Sequence, residues 1–566
     1  MQKYCRHCGT NFEITEADLK FYDKISPVFD SRKYPIPTPA LCSNCRMQRR
    51  MAFRNERNLY KRKCDYSGKE IVSIYPPTSK YKIYDQNIWW GDKWDAMEYG
   101  QGYDFKRPFF DQFAELLLKV PRASLQNEKN ENSSYCNDTT ELKNCYLCFN
   151  SQNSKDCYYM TTVGRNTQDC MDIFWSLTCE LCYECTKVSN AYHCFWGYNS
   201  SNVSDCYFFE DCHGCKNCFG CVGLRQKEYC IYNKQLTKEE YEEFMQKIQF
   251  THTKIQKEKE KLRALRMKIP CKNLVIQNSE NCLGDHIMNS KNCTECFDVI
   301  YSENGKFIWD AMVNNSYDCF NTGIDTNFAY ECVGVYVANN IKFCNKCSNN
   351  SDLLYCDYCL QSEHLFGCAG LRHKKYCILN KQYTKEEYEK LVPKIIASMS
   401  GKTSEISESH QSWGEFSPVS ISPFGYNDTM AAEYFPLKRE EGLKMGFNWN
   451  DYAKPKITGI KSIPAEKLPD NIQDVSDDIL KCAIECEKDK KLFKFIPQEI
   501  NFYRKQGIAL PHLCMDCRHY ARKNLINPRK LWIRECMKCN KEIQTNYGPD
   551  RPETVYCEEC YLKEIY

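Results

Sequence analysis

Paired cysteines are the first groups in this sequence with a definite chemistry. Cys5-Arg-His-Cys8 and Cys42-Ser-Asn-Cys45 are two Cys-x2-Cys knuckles. Each knuckle can place two thiolates on one tetrahedral ion, so together they make a zinc site. Near the other end, Cys514 and Cys517 form one knuckle, and Cys536, Cys539, Cys557 and Cys560 form a compact second set. Cys486 lies upstream of Cys514, with Cys482 as the candidate fourth ligand of that upper site. Zn2+ is the ion expected, at about two to three per chain.

Positioning these thiolates needs a particular order of elements. Between the first two knuckles lies a long stretch with the proline-rich Tyr34-Pro-Ile-Pro-Thr-Pro39. The second knuckle then opens a helical-looking run from Arg46 to about Asn58. Knuckle, extended region, then knuckle at a helix start is treble-clef-like, and the helix dipole favours thiolates at its N-terminus. The two ends of the chain are copies. Cys42, Cys45 and Cys64 match Cys514, Cys517 and Cys536 at one constant offset of 472 residues. Under it, Cys539, Cys557 and Cys560 fall on Ser67, Asp85 and Ile88, so the second N-terminal site should lack metal. Upstream, Cys5 and Cys8 match Cys486 and Asp489.

The segment after Cys45 is strongly basic. Arg46, Arg49, Arg50, Arg54, Arg57, Lys61, Arg62 and Lys63 face only Glu56. Arg46, Arg50, Arg54 and Arg57 share one helical face. Such a stripe suits phosphate contacts and salt-dependent binding of nucleic acid. The plainer reading is a solvated face pairing with acidic neighbours within the protein. An aromatic connector follows, from Trp89-Trp90 through Trp94 to Phe113, with a helix from Pro108 to about Val120. It reads as a packing wedge ahead of an exposed stacking site.

Between the two ends the organising feature is a cysteine ladder. Cys145, Cys157, Cys170, Cys182, Cys194, Cys206, Cys218 and Cys230 recur at steps of 12 residues, with one of 13. Most follow a short polar residue (Asn144, Asp156, Asp169, His193, Asp205, Asn217) and precede a large apolar or aromatic one (Tyr146, Tyr158, Met171, Tyr183). A sustained short period marks a solenoid. Coils this small enclose a narrow bore, which cysteine can fill. Strand alternation would then send the following aromatic residue outward. A second ladder begins at Cys282, passes an irregular patch, and continues through Cys319, Cys332, Cys344, Cys356 and Cys368. Each lobe ends in an Asn-Lys-Gln block and a capping box, Thr237-Lys-Glu-Glu240 and Thr384-Lys-Glu-Glu387. The caps lie 147 residues apart, so the lobe and its helical cap are duplicated. Denser runs, such as Cys212, Cys215, Cys218 and Cys221, superficially match a ferredoxin motif but lack its proline, which disfavours Fe–S. A metal-free ladder of buried thiols is preferred to zinc held between coils.

The fold class expected is therefore mainly β: a two-lobed narrow β-solenoid of about 12-residue repeat, flanked by treble-clef or zinc-ribbon-like α+β modules. The segments read as an N-terminal zinc module (1–75), an aromatic connector (76–130), lobe one (131–236), a helical cap and linker (237–270) and lobe two (271–383). A helical cap (384–399), an irregular linker (400–478) and a C-terminal zinc module (479–566) complete the chain. Charges nearly cancel, 77 basic against 74 acidic, so no global field selects a partner. No apolar run approaches a membrane span, and no signal-peptide region opens the chain. The expected setting is cytoplasmic with reduced thiols; a secreted, disulfide-stapled solenoid is the rival.

Taken together, Leu41-Cys-Ser-Asn-Cys-Arg46, Arg54-Asn-Glu-Arg-Asn-Leu-Tyr-Lys-Arg-Lys-Cys-Asp65, Tyr84-Asp-Gln with Trp89-Trp90, the two Asn-Lys-Gln caps and Pro552-Glu-Thr-Val-Tyr-Cys-Glu-Glu-Cys-Tyr561 carry a resemblance. The chain resembles, over nearly its full length, cysteine-rich zinc-finger-like proteins of candidate phyla radiation bacteria. The resemblance implies a bacterial, cytoplasmic setting and brings no activity, substrate or partner. Three functions compete. The first is a non-enzymatic zinc-stabilised scaffold holding nucleic acid, RNA ahead of DNA. The second is a protein-interaction scaffold using the solenoid face. The third is an Fe–S or thiol redox protein. No strand–Gly-rich–helix fingerprint, His-Glu-x-x-His or Gly-x-Ser-x-Gly motif is present, which favours the first two.

Overall fold

The computed structural model describes residues 1–164, 166–400, 412–455 and 457–565. The chain forms two compact units, each made of two separated stretches. One joins Met1–Leu125 to Leu274–Tyr452; the other joins Gln126–Asn273 to Ala453–Tyr566. Each unit thus holds one solenoid lobe and one terminal zinc-type module. The N-terminal module shares a unit with lobe two, and the C-terminal module with lobe one.

Both lobes are parallel β-solenoids. Coil stacks on coil at a 12-residue register, with Cys206 opposite Cys218 and Cys218 opposite Cys230. The irregular patch of lobe two is also coiled but runs short. Ile276 pairs with Ile287 and Gly305 with Ser316, 11 residues apart. Gly284 sits at a register shift there, with φ +150°, and a Cβ would lie 1.8 Å from the Cys296 carbonyl oxygen.

The coil does not follow the expected alternation of period two. Every third residue is left-handed: Asn144, Leu147, Asn150, Asn153 and Asp156 have φ of 54°, 53°, 49°, 46° and 53°. A left-handed residue turns the chain, so each 12-residue coil has four sides of three residues. The residue after each corner points inward. Cys182, Cys185, Val188, Ala191 and Cys194 succeed one another this way, all buried. The short polar residue before each ladder cysteine is therefore a corner, where Asn and Asp tolerate positive φ best. Their side chains also stack: Asn132 donates to Asn144 at 2.9 Å and Asn144 to Asp156 at 3.0 Å. The cysteine runs at three-residue steps are successive sides of one coil rather than a cluster motif.

This geometry explains why cysteine and serine fill the bore. The inward residue's amide N–H points along the bore to the side chain one coil earlier. Cys212 N–H donates to Ser200 Oγ at 2.9 Å, and Cys182 N–H to Cys170 Sγ at 3.3 Å. That side chain in turn donates to its own backbone two residues back. Ser200 Oγ–H reaches Tyr198 O at 2.9 Å and Cys170 Sγ–H reaches Gln168 O at 3.1 Å. Only a small side chain that both accepts and donates can relay these bonds, so buried polar backbone is satisfied. Burial in the bore pushes the thiols of Cys148, Cys157, Cys170 and Cys185 well above their ordinary range. All 40 cysteines are free thiols, and the disulfide-stapled alternative is not what the fold contains.

The aromatic ladder forms as expected, Tyr146 over Tyr158 over Met171 over Tyr183 over Phe195. In lobe one it is covered. Met171, Tyr183, Phe195, Tyr207 and Phe219 pack against Leu468, Ile472, Ile500, Phe502 and Tyr503 of the same unit. The caps also form. Lys234–Gln235 folds back antiparallel on Glu228–Ile231, and Thr237 and Glu240 exchange both capping-box bonds at 3.2 and 2.9 Å. The helix expected to reach Met267 is broken into Lys238–Gln246 and His252–Arg266. A new N-cap at Thr251 starts the second piece. In the other unit, the connector helix Phe109–Lys119 is present, with Phe109 and Phe110 against Tyr355 of lobe two. Of the linker expected over 400–478, residues 401–411 and 456 lie outside the described residues. Trp413 packs on Phe343 and Tyr355, and Tyr434 and Phe435 on Trp309.

Candidate metal centres

Three cysteine-rich groups could hold a metal ion. Each N-terminal knuckle lies in a tight turn: the first follows the strand Gln2–Tyr4, and the second opens the helix Ser43–Met51. They bring Cys5, Cys8, Cys42 and Cys45 together with every sulfur within 4.8 Å of the others. Cys8 and Cys42 sulfurs are 3.7 Å apart. A tetrahedral ion with Zn–S bonds of about 2.3 Å needs sulfurs about 3.8 Å apart. In the C-terminal module Cys536, Cys539, Cys557 and Cys560 converge in the same way, with Cys539 and Cys557 at 3.8 Å. Backbone amides support the thiolates. Cys557 N–H donates to Cys536 Sγ at 3.2 Å, and Cys560 N–H to Cys557 Sγ at 3.5 Å. Burial would raise the Cys536 thiol, but the amides of Cys557, Lys538 and Cys539 outweigh it and bring it down to about 6. The hydrogen bond from Cys45, chiefly, lowers Cys42 to about 5. Each set thus contains a group poised to be a thiolate, the form that binds metal.

The third group corrects one expectation. Cys486, Cys514 and Cys517 converge as anticipated, but the fourth group within reach of them is Asp489, and Cys482 is not in the set. Asp489 occupies the place in its turn that Cys8 holds in the other copy, and Cys514 Sγ lies 3.7 Å from Asp489 Oδ1. Cys482 is drawn into an apolar core with Ile479 and Ile484, where its thiol donates to Asp478 O at 3.5 Å. Among the described residues, the solenoid cysteines form no such group of three or more ligands. Three-residue sides separate successive inward sulfurs, so the run at 212–221 does not close on a cluster.

In the N-terminal copy the positions of the compact C-terminal set are Cys64, Ser67, Asp85 and Ile88. Cys64 keeps its place, its sulfur accepting N–H from Asp85 at 3.2 Å and Ser67 at 3.5 Å. Around it Ile71, Ile74, Tyr75, Ile83 and Phe424 form an apolar cluster.

The basic stripe is placed differently from the phosphate-binding reading. Arg46, Arg49, Arg50, Arg54 and Arg62 are buried. The helix Ser43–Met51 turns its arginines toward the corners of lobe two. Arg46 reaches both oxygens of Asp318, at 2.9 and 3.0 Å, and Arg50 reaches the same carboxylate at 3.2 Å. Arg49 clasps Glu331 at 2.7 and 2.9 Å. Arg54 pairs with Glu56, and Arg62 with Asp65 at 3.0 Å. Only Lys61 and Lys63 stand exposed, with Arg57 half-buried. Five of the eight residues are therefore unavailable to a phosphate backbone. The helix ends at Met51, short of the expected Asn58, so Arg54 and Arg57 lie beyond it; Arg46 and Arg50 share its inward face. Asp318 and Glu331 lie more than 260 residues along the chain, so no local pattern names them as partners.

The other unit repeats the clamp. Arg518 and Arg522, the counterparts of Arg46 and Arg50 at the 472-residue offset, both meet Asp172 at 2.9 Å. Arg518 also lies 3.4 Å from Glu499, which accepts a 2.9 Å hydrogen bond from Tyr159. Burial, outweighing the nearby Arg518 charge, pushes the Glu499 carboxyl up to about 7.

No family model and no curated protein matches the chain. A solved chain from Desulfovibrio desulfuricans G20, provisionally assigned as an acetyltransferase, aligns with a TM-score of 0.10 and 8% identity. The alignment covers 42% of this chain and 65% of that one, just under two thirds of its length. Among the described residues, no helix is long and apolar enough to cross a membrane.

Proposed function

We propose that this protein is a zinc-stabilised, non-enzymatic scaffold whose solenoid lobes present a partner protein with a rigid surface. The carrying observation is that each of the three cysteine-rich groups offers four protein ligands. A closed four-ligand set is the signature of a structural zinc site, not of a catalytic one with an open position. The arginine clamps tie each metal-bearing module to a lobe within its own unit, so metal binding and solenoid rigidity are joined. Exposed corner ladders of Asn, Asp, Lys and Glu then offer regularly spaced polar groups to a partner.

Nucleic acid is the second reading, and it rests now on Lys61 and Lys63 with whatever Arg57 adds. A stripe reduced to so few cations predicts weak, salt-sensitive binding. The test is binding of a labelled single-stranded RNA to the zinc-loaded full chain across a salt series. Absent or feeble binding that vanishes at moderate salt, unchanged in Lys61→Glu/Lys63→Glu, supports the protein-scaffold reading. Tight binding lost in that double variant overturns it in favour of RNA.

A further inference from the structure

A fourth group of metal-ligating side chains lies apart from the cysteine sets, and its chemistry is different. It joins His252, Glu487 and His512, with one ligand atom from each within 4.8 Å of the others. All three belong to the unit formed by Gln126–Asn273 and Ala453–Tyr566. His252 is the first residue of the helix His252–Arg266, which packs on lobe one. Its position is fixed from outside that helix: the His252 and Thr253 amides donate to Asp470 O and Oδ1 at 2.9 and 2.7 Å. Glu487 and His512 come from the two arms of the C-terminal module, and the Glu487 N–H donates to His512 O at 3.1 Å. Two separate backbone tethers therefore bring three ligands from three chain segments to one point.

His252 Nε2 meets Gln256 Nε2 at 3.4 Å, and His512 is the side chain short of a partner. The two imidazoles lie face to face, centroids 3.5 Å apart and planes 10° from parallel. His512 is only 10% exposed; its Nδ1 lies 3.4 Å from Glu487 Oε2, and its Nε2 is buried with no hydrogen-bond partner. An orphaned buried ring nitrogen is costly and calls for an explanation. Glu487 is 49% exposed, so the group opens to solvent on the carboxylate side. Two imidazoles and one carboxylate suit borderline divalent ions such as zinc or cobalt(II), and three protein ligands leave a position for water.

We infer that His252, Glu487 and His512 form a solvent-facing site for an exchangeable divalent transition-metal ion, distinct from the closed cysteine sites. Ligation requires the stacked rings to open slightly, and His252, half-buried at the helix start, is the one with room. The bound ion joins the helix that follows the lobe-one cap to the C-terminal module.

The test is a cobalt(II) titration of the full chain already loaded with zinc, so that the cysteine sites are filled. The wild-type chain should take up one cobalt equivalent whose spectrum shows ligand-field bands without thiolate charge transfer. His252→Ala, outside the module, should lose that equivalent while retaining its cysteine-bound zinc; Glu487→Gln should lose or weaken it likewise. The inference fails if zinc-loaded wild type binds no cobalt, if the cobalt carries thiolate charge transfer, or if both variants bind it as wild type does. Zinc retention reports on the scaffold separately, so either reading can fail alone.

Discussion

The lower halves of the two terminal modules have one backbone and two different interiors. In the N-terminal copy the hairpin pairs Tyr60–Lys63 with Glu70–Ser73; in the C-terminal copy it pairs Trp532–Glu535 with Glu542–Thr545, each residue displaced by the same 472. The C-terminal interior is Cys536, Cys557 and Cys560 with Ile543 and Val555, and the exposed Cys539 completes the four-cysteine set. The N-terminal interior is Cys64 with Ile71, Ile74, Tyr75, Ile83 and Phe424, the last contributed from far along the chain. A cysteine set that could hold a metal ion and an apolar core thus stand in the same place beneath the same hairpin. Where the thiolates are lost, a docked phenylalanine and a stack of aliphatic side chains replace them.

The sharpest way to break that equivalence is to remove the metal. Structural zinc supplies on the order of 10 kcal/mol of folding energy in small fingers. Chelation should therefore abolish amide protection in Trp532–Glu535 and Glu542–Thr545 while leaving Tyr60–Lys63 and Glu70–Ser73 protected, as read by hydrogen exchange. Equal loss in both hairpins would mean the apolar cluster is no substitute.

The clamps allow a second, smaller comparison. Asp318→Asn leaves Arg46 and Arg50 buried without their shared carboxylate, and Asp172→Asn does the same to Arg518 and Arg522. Breaking a buried pair by removing one partner costs about 3–5 kcal/mol. Chemical denaturation should show losses of that size in both variants; a change below 1 kcal/mol would place these pairs with surface ion pairs.

The third comparison is of charge. In one unit Asp18 is paired with Lys306 at 2.8 Å. In the other, the corresponding carboxyl is Glu499, facing Tyr159 and held up to about 7 by burial. An unfolded glutamate titrates near 4.3. The folded state therefore holds the proton more tightly, and Glu499 favours folding below about pH 4.3. That contribution is lost as the pH rises through about 7. Between pH 5 and 8 the effect is on the order of 2 kcal/mol. Glu499→Gln should flatten this slope in denaturation curves, and an unchanged slope would remove Glu499 as its source.

The smallest expected effect separates the relay from mere packing. Ser200→Ala keeps the bore filled to within one atom but leaves the Cys212 N–H without its 2.9 Å acceptor. It should cost about 1–2 kcal/mol, and Ser200→Cys should restore most of it. Equal stability of all three would show that size alone selects the bore residues.

These contrasts also mark how far the sequence could be read. The cysteine period and the caps were legible because each coil must repeat its inward residue and each end must be closed. The corner residues were visible as Asn144, Asp156 and Asp205, yet their left-handed role was hidden by Leu147, Tyr159 and Trp175, which are poor candidates for positive φ but adopt 53°, 56° and 50°. The three-residue steps at Cys212–Cys221 carry the length of one side of the coil, which the 12-residue repeat alone does not reveal. Thiolate sets with two knuckles were read directly, since knuckle geometry is local. Asp489 stood in the alignment opposite Cys8, but a carboxylate in a thiolate position weighs less by eye than a nearby Cys482. Pairing of the arginine stripe with acidic groups of the protein was one of its two readings, but Asp318 and Glu331 reach it only through the tertiary fold, so no local pattern names them.

The central claim, that closed thiolate sites and not clusters in the bore hold this protein's metal, is tested most directly by native mass spectrometry. The His252→Ala chain, purified from zinc-supplemented growth, isolates the cysteine sites from the histidine site. The account predicts three zinc ions per chain, one for each cysteine-rich group, with no iron or sulfide. A larger zinc count, an iron–sulfur mass, or a folded chain carrying no metal would contradict it.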